Sequence, residues 1–230
     1  MKAMLLAAGR GERMGELTER KPKPLLEVAG KPLLWHHLMR LKQVGISDVV
    51  INTSYLGEQI RSYIESNRDA GDFGNLNIGC TIEAERLETA GGIMNALPLL
   101  GSEPFLVINS DVWTDFPLSE LIKPLEGLAH LVLVDNPIHH REGDFLLSDD
   151  GEVSAVANHG ECKLTFSGVS VMSPALFEGL PEGKAPLAPL LRQAMNQRQV
   201  TGEYFAGTWI DVGTPERLQQ VSTLINSSGM

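Results

Sequence analysis

The chain has 230 residues, 43% of them hydrophobic, enough for one substantial core, and a single α/β domain spanning 1–230 is the simplest organisation. Its formal net charge is −10, from 29 acids against 19 bases, which argues against nucleic-acid and anionic-membrane partners because those need a positive footprint. Cys80 and Cys162 lie far apart and outside any Cys-x-x-Cys pattern, so neither a disulfide framework nor a zinc site is expected, and two thiols suit a reducing, cytoplasmic setting.

The apolar run over residues 3–8 is too short, and too soon followed by charge, for a signal peptide, and no stretch approaches the roughly 20 apolar residues of a membrane span. That run predicts instead a buried parallel strand emptying into a Gly-rich loop, Gly9-Arg-Gly-Glu-Arg13. Gly9 and Gly11 lack a Cβ, so backbone N–H groups can approach an anion there, and Arg10, Arg13, Lys21 and Lys23 add positive charge in an otherwise acidic chain. The stretch suits a polyphosphate. Glycines that serve only the turn are the plainer alternative. A P-loop is absent, and Gly9 to Met14 lacks the third Gly of the dinucleotide fingerprint.

Helical spacing of Leu33, Leu34, Leu38, Leu41 and Val44, with Pro32 at the start and Gly45 as a C-cap, predicts a helix over 32–44. A strand over 48–52, a helix over 55–67, a strand over 77–83, a helix over 89–97 and a strand over 104–109 follow. This alternation implies a parallel sheet with crossover helices. Beyond 115, strands over 131–134, 144–147, 153–157 and 164–172 lack long intervening helices, which predicts an antiparallel or mixed portion. Helices return over 189–198 and 215–225, with a strand over 209–212 between them. Asp111 follows the apolar 105–109 run, at the strand edge where α/β sheets bind ligands, and a hard carboxylate oxygen there suits Mg²⁺; a turn-capping role is the alternative.

Leu6-Ala-Ala-Gly-x-Gly-x-Arg-Met14 followed by Lys21-Pro-Lys-Pro-Leu25 resembles the two-part signature of the sugar-1-phosphate nucleotidyltransferases. The commonest form has Gly-Thr-Arg and then Pro-Leu-Thr where this chain has Gly11-Glu-Arg13 and Gly15-Glu-Leu-Thr18, a departure that leaves Arg13 and Lys23 in place. The resemblance implies a three-layer Rossmann-like (GT-A-like) α/β fold with a mixed, mostly parallel central sheet and helices on both faces. It also implies a nucleotide-binding half over 1–115, a sugar-phosphate-binding half over 116–230, and no C-terminal β-helix domain.

Several site residues follow from the same resemblance. Asp111 and the Asp211 of Gly207-Thr-Trp-Ile-Asp-Val-Gly-Thr-Pro215 fall on its two metal acids, with Mg²⁺ as the cofactor, and Lys23, Arg13 and Asp111 are the expected catalytic residues. Nucleotide contacts fall on Ala8, Gly9, Gly11, Arg13, Lys23, Glu83, Thr89, Ala90 and Gly91. A carboxylate at Glu83 can only accept, so it complements the N3–H of uracil and favours UTP; a solvated strand end is the alternative. Sugar-phosphate contacts fall on Asn109, Gly143, Asp144, Ser167, His140 and Arg141, although Phe166 replaces the usual Asn of Asn-Thr-Gly.

Within the family, Asn109-Ser-Asp-Val-Trp-Thr-Asp115, Val134-Asp-Asn-Pro-x-His-His140 and Thr165-Phe-Ser-Gly168 most resemble the members that uridylylate N-acetylmuramic acid α-1-phosphate in peptidoglycan recycling. The lactyl carboxylate of that sugar wants a cation, for which His139, His140, Arg141 and Lys163 are candidates. No general base is needed, because the attacking phosphate is already ionised, so no His is assigned a catalytic role. The expected partners are UTP and a sugar 1-phosphate, and a monomer is favoured. The alternatives are a glucose-, mannose-, N-acetylglucosamine- or choline-phosphate nucleotidyltransferase, or a nucleotide-sensing relative without turnover.

Overall fold

The computed structural model describes residues 1–156 and 162–228. Ala3, Met4 and Leu5 of β1 (Ala3–Leu6) are wholly buried, and alternation along the strand sends Ala3 and Leu5 to one face and Met4 to the other. After its loop come a small hairpin of β2 (Glu27–Val28) and β3 (Lys31–Pro32), then α1 (Leu33–Gln43), β4 (Asp48–Thr53), α2 (Gly57–Asp69), β5 (Asn77–Ile82), α3 (Glu88–Leu100) and β6 (Phe105–Asn109). The second half supplies β7 (Val112–Thr114), β8 (Ala129–Val134), β9 (Leu146–Leu147), β10 (Val153–Ser154), β11 (Thr165–Met172), α4 (Leu187–Asn196), β12 (Val200–Phe205), β13 (Trp209–Asp211) and α5 (Pro215–Ser228).

Seven strands form one sheet in the order β12-β8-β11-β6-β1-β4-β5. Only β11 runs against its neighbours; the other four pairings are parallel. Leu34, Leu38 and Leu41 of α1 and Ile60 and Ile64 of α2 cover one face, while Ile93, Ala96 and Leu100 of α3 and Leu191, Ala194 and Met195 of α4 cover the other. The three-layer, mostly parallel α/β architecture is therefore the observed one. Among the described residues no helix is long and apolar enough to cross a membrane, and Cys80 and Cys162 are both free thiols.

The structure departs from the sequence pattern in three places. β12, which no run of β-branched residues announces, pairs with β8 at the sheet edge. Its Gly202 looks like a breaker but is required, because a Cβ there would lie 2.7 Å from Val153 Cγ2 and 2.8 Å from the Leu131 carbonyl oxygen. The strand predicted over 144–147 shrinks to β9 and a Phe145–Leu164 bridge. α3 runs to Leu100 through Pro98, three residues past the predicted stop. Ala157, the end of the strand predicted over 153–157, lies outside the described residues.

Candidate active site

β1 is the middle strand of the parallel set, so the loop at its C-terminal end opens at the sheet edge where α/β folds bind ligands. Ala7 N–H is spent on Asn52 Oδ1 at 2.8 Å, but among the described residues the N–H groups of Ala8, Gly9, Arg10 and Gly11 donate to nothing. Four consecutive free donors make a cradle for an anion. Gly11 is held at φ +72°, and a Cβ there would stand 3.2 Å from Lys23 Cβ and 3.1 Å from Thr18 Cγ2, so the loop closes directly on the lysine.

Lys23 is flanked by Pro22 and Pro24, which fix the backbone at the start of a short 3₁₀ turn over Lys23–Leu25. Its side chain is only 8% exposed, and Nζ donates to Asp111 Oδ2 at 2.6 Å. Asp111 follows β6 and remains open to the cleft. Behind it, His37 on α1 lies with Nε2 3.2 Å from the Ser110 carbonyl oxygen. Burial, and after it the nearby Arg40 charge, push the His37 imidazole down to about 4, so the ring is neutral and donates Nε2–H to that oxygen.

The second acid arrives through a small two-stranded ladder. β13 pairs antiparallel with β7 in a register that sets Asp211 opposite Val112, and Val212 N–H donates to the Asp111 carbonyl oxygen at 2.7 Å. The two carboxylates thus stem from neighbouring positions of paired chains. Asp211 Oδ1 accepts from Arg217 Nη1 and lies 3.3 Å from His139 Nε2. Gly213 leaves room for two guanidinium groups: a Cβ there would stand 2.9 Å from Arg217 Nη2 and 3.0 Å from Arg13 Nη2. Among the described residues no group of three or more His, Cys, Asp and Glu side chains could hold a metal by itself. Two carboxylates beside a phosphate cradle nevertheless fit Mg²⁺, which takes one or two protein carboxylates and completes its shell with phosphate oxygens and water.

Glu83 is not a solvated strand end. It is 4% exposed, with Oε1 accepting from Asn52 Nδ2 at 2.6 Å and Oε2 from the Leu87 N–H at 3.1 Å. Gly92 packs on this pair so closely that a Cβ would lie 2.5 Å from Oε1. Glu83, Thr89, Asn109 and Asp111 line one cavity of about 190 Å³ with the Leu6–Gly9 backbone; an adjoining cavity of about 260 Å³, lined by Gly9–Arg13 and Gly213, shares Gly9, Lys23, Arg86 and Asp111 with it.

Ala90 and Gly91, expected as nucleotide contacts, lie outside the lining of both cavities. Both N–H groups donate to the Ala185 carbonyl oxygen, at 3.0 and 3.1 Å, and Gly91 is pressed against the Gly183 carbonyl, so these residues fasten α3 rather than line the cavity.

In the second half of the chain, β11 carries a bulge between Phe166 and Ser170. Gly168 at φ +79° lies against Asn109, and the buried Ser167 accepts the Val169 N–H on Oγ and the Trp209 indole N–H on its carbonyl. Ser167 therefore shapes the floor, and its hydroxyl is already engaged. Asp144 bridges the Phe166 N–H at 2.8 Å and His140 Nε2 at 3.1 Å, while Gly143 turns at φ +64° against Asn136 and Lys163. Arg141 is exposed and its Nε donates to its own loop at Ile138 O, so the structure leaves it out of the cluster and brings His139 in. The sequence pattern gave no sign of Arg217, Asn52 or Arg86; Asn52, at the edge-side end of an apolar strand, was the most readable of them. A separate cavity of about 280 Å³ around His130 and Thr201 contains none of these residues.

An anion cradle, a buried lysine on a strand-end aspartate and a second aspartate beside it define a nucleotidyltransferase, and the chain belongs to the nucleotidyl transferase family, whose model matches residues 2–145. It is 49% identical to the N-acetylmuramate alpha-1-phosphate uridylyltransferase of Neisseria meningitidis serogroup B, over 97% of this chain and 98% of that protein. A protein of the same description from Caulobacter vibrioides is 32% identical over 93% of this chain and 92% of its own length. Among solved structures, a putative glucose-1-phosphate thymidylyltransferase from Bacillus anthracis superposes with a TM-score of 0.82 over 97% of this chain and 94% of that one, at 21% identity, a likeness of fold.

Proposed function

We propose that this enzyme transfers a uridylyl group from UTP to N-acetylmuramic acid α-1-phosphate, giving UDP-N-acetylmuramic acid and pyrophosphate, as a cytoplasmic step of peptidoglycan recycling. The observation that carries the chemistry is Lys23, nearly dry, on Asp111 at the lip of four free loop amides. The identity to two proteins named for this reaction supports the acceptor.

In this reading a phosphate oxygen of the sugar attacks the α-phosphorus of UTP. A new P–O bond forms while the bond from the α-phosphorus to the bridging oxygen breaks, and pyrophosphate departs with that electron pair. Both reactants are anions, so catalysis is positioning and charge neutralisation. The Ala8–Gly11 amides and Arg13 hold the β- and γ-phosphates, and Lys23 neutralises charge that builds on the reacting phosphate. Asp111 and Asp211 would hold Mg²⁺, which would supply Lewis-acid charge to the phosphate oxygens. Glu83 takes the N3–H of uracil on a remaining lone pair, its two oxygens kept in place by Asn52 and Leu87.

Pyrophosphate release is the test, measured with UTP, CTP and dTTP against N-acetylmuramic acid, N-acetylglucosamine, glucose and mannose 1-phosphates. UTP with the muramate sugar gives the highest kcat/KM. A better rate with any other sugar overturns the acceptor, and equal use of CTP, whose N3 presents a lone pair to Glu83, overturns the base contact.

A further inference from the structure

Arg217 holds charge that the nucleotide does not account for. It is the third residue of α5, its side chain is 18% exposed, and Nη1 is spent on Asp211 Oδ1 beside His139 Nε2 at 3.1 Å. Among the described residues, Nη2 and Nε have no hydrogen-bond partner. A half-buried guanidinium with one edge tied and the other free is set to take a phosphate oxygen, because its rigid fork loses little freedom on doing so.

Its surroundings say which phosphate. Arg13, from the nucleotide loop, and Arg217 both lie against Gly213, and His139 comes from the loop between β8 and β9 that also carries His140 and Asp144. One guanidinium, that of Arg217, and the His139 imidazole therefore meet at the Asp211 carboxylate, with the Arg13 guanidinium next to them at Gly213. The nucleotide's own phosphates have the loop amides, Arg13 and Lys23. Among the described residues the one cation paired with Asp211 is Arg217, with the His139 imidazole beside it.

We infer that Arg217 is a catalytic residue for the acceptor: its free edge binds the phosphate of the sugar 1-phosphate and holds the attacking oxygen beside Asp211. This rests on the reading of a phosphate-bearing acceptor, and no proton or covalent bond passes through the arginine.

The test uses Arg217→Met and Arg217→Lys in the full-length enzyme, with whichever sugar 1-phosphate the unaltered enzyme uses best. Arg217→Met raises the acceptor KM by about tenfold to a hundredfold, the range of one or two charge-assisted hydrogen bonds, and Arg217→Lys recovers part of the loss. The UTP dissociation constant, measured by calorimetry with Mg²⁺ and no acceptor, and the Mg²⁺ midpoint stay within about twofold, since Arg13 and Lys23 are untouched. An unchanged acceptor KM overturns the assignment. So does an equal loss of UTP or Mg²⁺ binding, which gives Arg217 the role of holding Asp211 in place. Preference for a sugar other than muramate removes the substrate reading and leaves the arginine standing, whereas failure with every sugar 1-phosphate removes both.

Discussion

Lys23 and Asp111 form a contact in which one partner is almost out of water, so removing either strands a charge and, in the proposed mechanism, also removes the cation at the reacting phosphate or one of the two carboxylates for the metal. Lys23→Ala and Asp111→Ala are each expected to lower kcat by about a hundredfold or more, equivalent to roughly 3 kcal/mol of transition-state stabilisation. Near-normal turnover in either variant defeats the proposed roles. His37 sets a different test. Its pKa is lowered in the fold from 6.5 to about 4, so below pH 6.5 the unfolded chain binds a proton that the folded chain refuses. Stability is unaffected above pH 6.5, falls as pH drops from 6.5 to about 4, and levels off below that; the full difference is about 3 kcal/mol. Burial lowers the neighbouring His36 as well, adding loss in the same direction. Denaturant midpoints measured across pH 7 to 4.5 should slope in the parent protein and slope less in His37→Gln, which keeps a donor for the Ser110 carbonyl but does not titrate, the remaining slope belonging to His36 and other groups. An equal slope in both assigns it to other groups.

At the scale of elements, strands with continuous apolar runs and helices with clean periodicity were readable, because each is specified by its own residues: β1, α1, β4, β6 and most of β11 fall where the sequence pattern puts them. β7 and β12 were not, the first because three residues carry too little pattern, the second because Gly202 is needed by Val153 and the Leu131 carbonyl across space. The site divides the same way. Gly9, Gly11, Lys23 and Asp111 sit in local sequence contexts that announce a phosphate loop and a strand edge. Arg217 looks like any basic residue on an exposed helix until the β7–β13 ladder brings Asp211 beside it. The bulge in β11 is a further case, since its meaning lies in what Gly168 touches. A Cβ there would stand 2.8 Å from Asn109 Cγ at a φ of +79° that side chains resist. Gly168→Ala should therefore cost about 1–3 kcal/mol of stability and displace Asn109. An acceptor KM raised by about tenfold, with the UTP KM little changed, is the expected kinetic result, 1.4 kcal/mol being a factor of ten. If both KM values rise together, the bulge serves the whole cleft rather than the acceptor.

For the whole molecule, the decisive feature is that the first and second halves of the chain share a sheet. β6 pairs with β11 along Val169–Ile108 to Met172–Phe105, and Val132, Val169 and Val171 of the second half lie in the same buried cluster as Leu5, Ile51 and Leu106 of the first. Pulling the halves apart would open that cluster and leave β6 and β11 with unpaired edges, so we expect 1–230 to unfold as one cooperative unit. The cavity lined by Gly9–Arg13, Lys23 and Asp111 reaches Gly213 in the second half of the chain, so nucleotide bound there should stabilise the entire chain. At a UTP concentration about a hundredfold above its dissociation constant the gain is about 2.7 kcal/mol. For a chain of this size each kcal/mol shifts the midpoint by about 2–4 °C, which predicts a rise of about 5–11 °C. Calorimetry should show one endotherm that moves intact on adding UTP and Mg²⁺. Two endotherms, of which UTP moves only one, would mean that the halves are separable and that the shared sheet does not couple them.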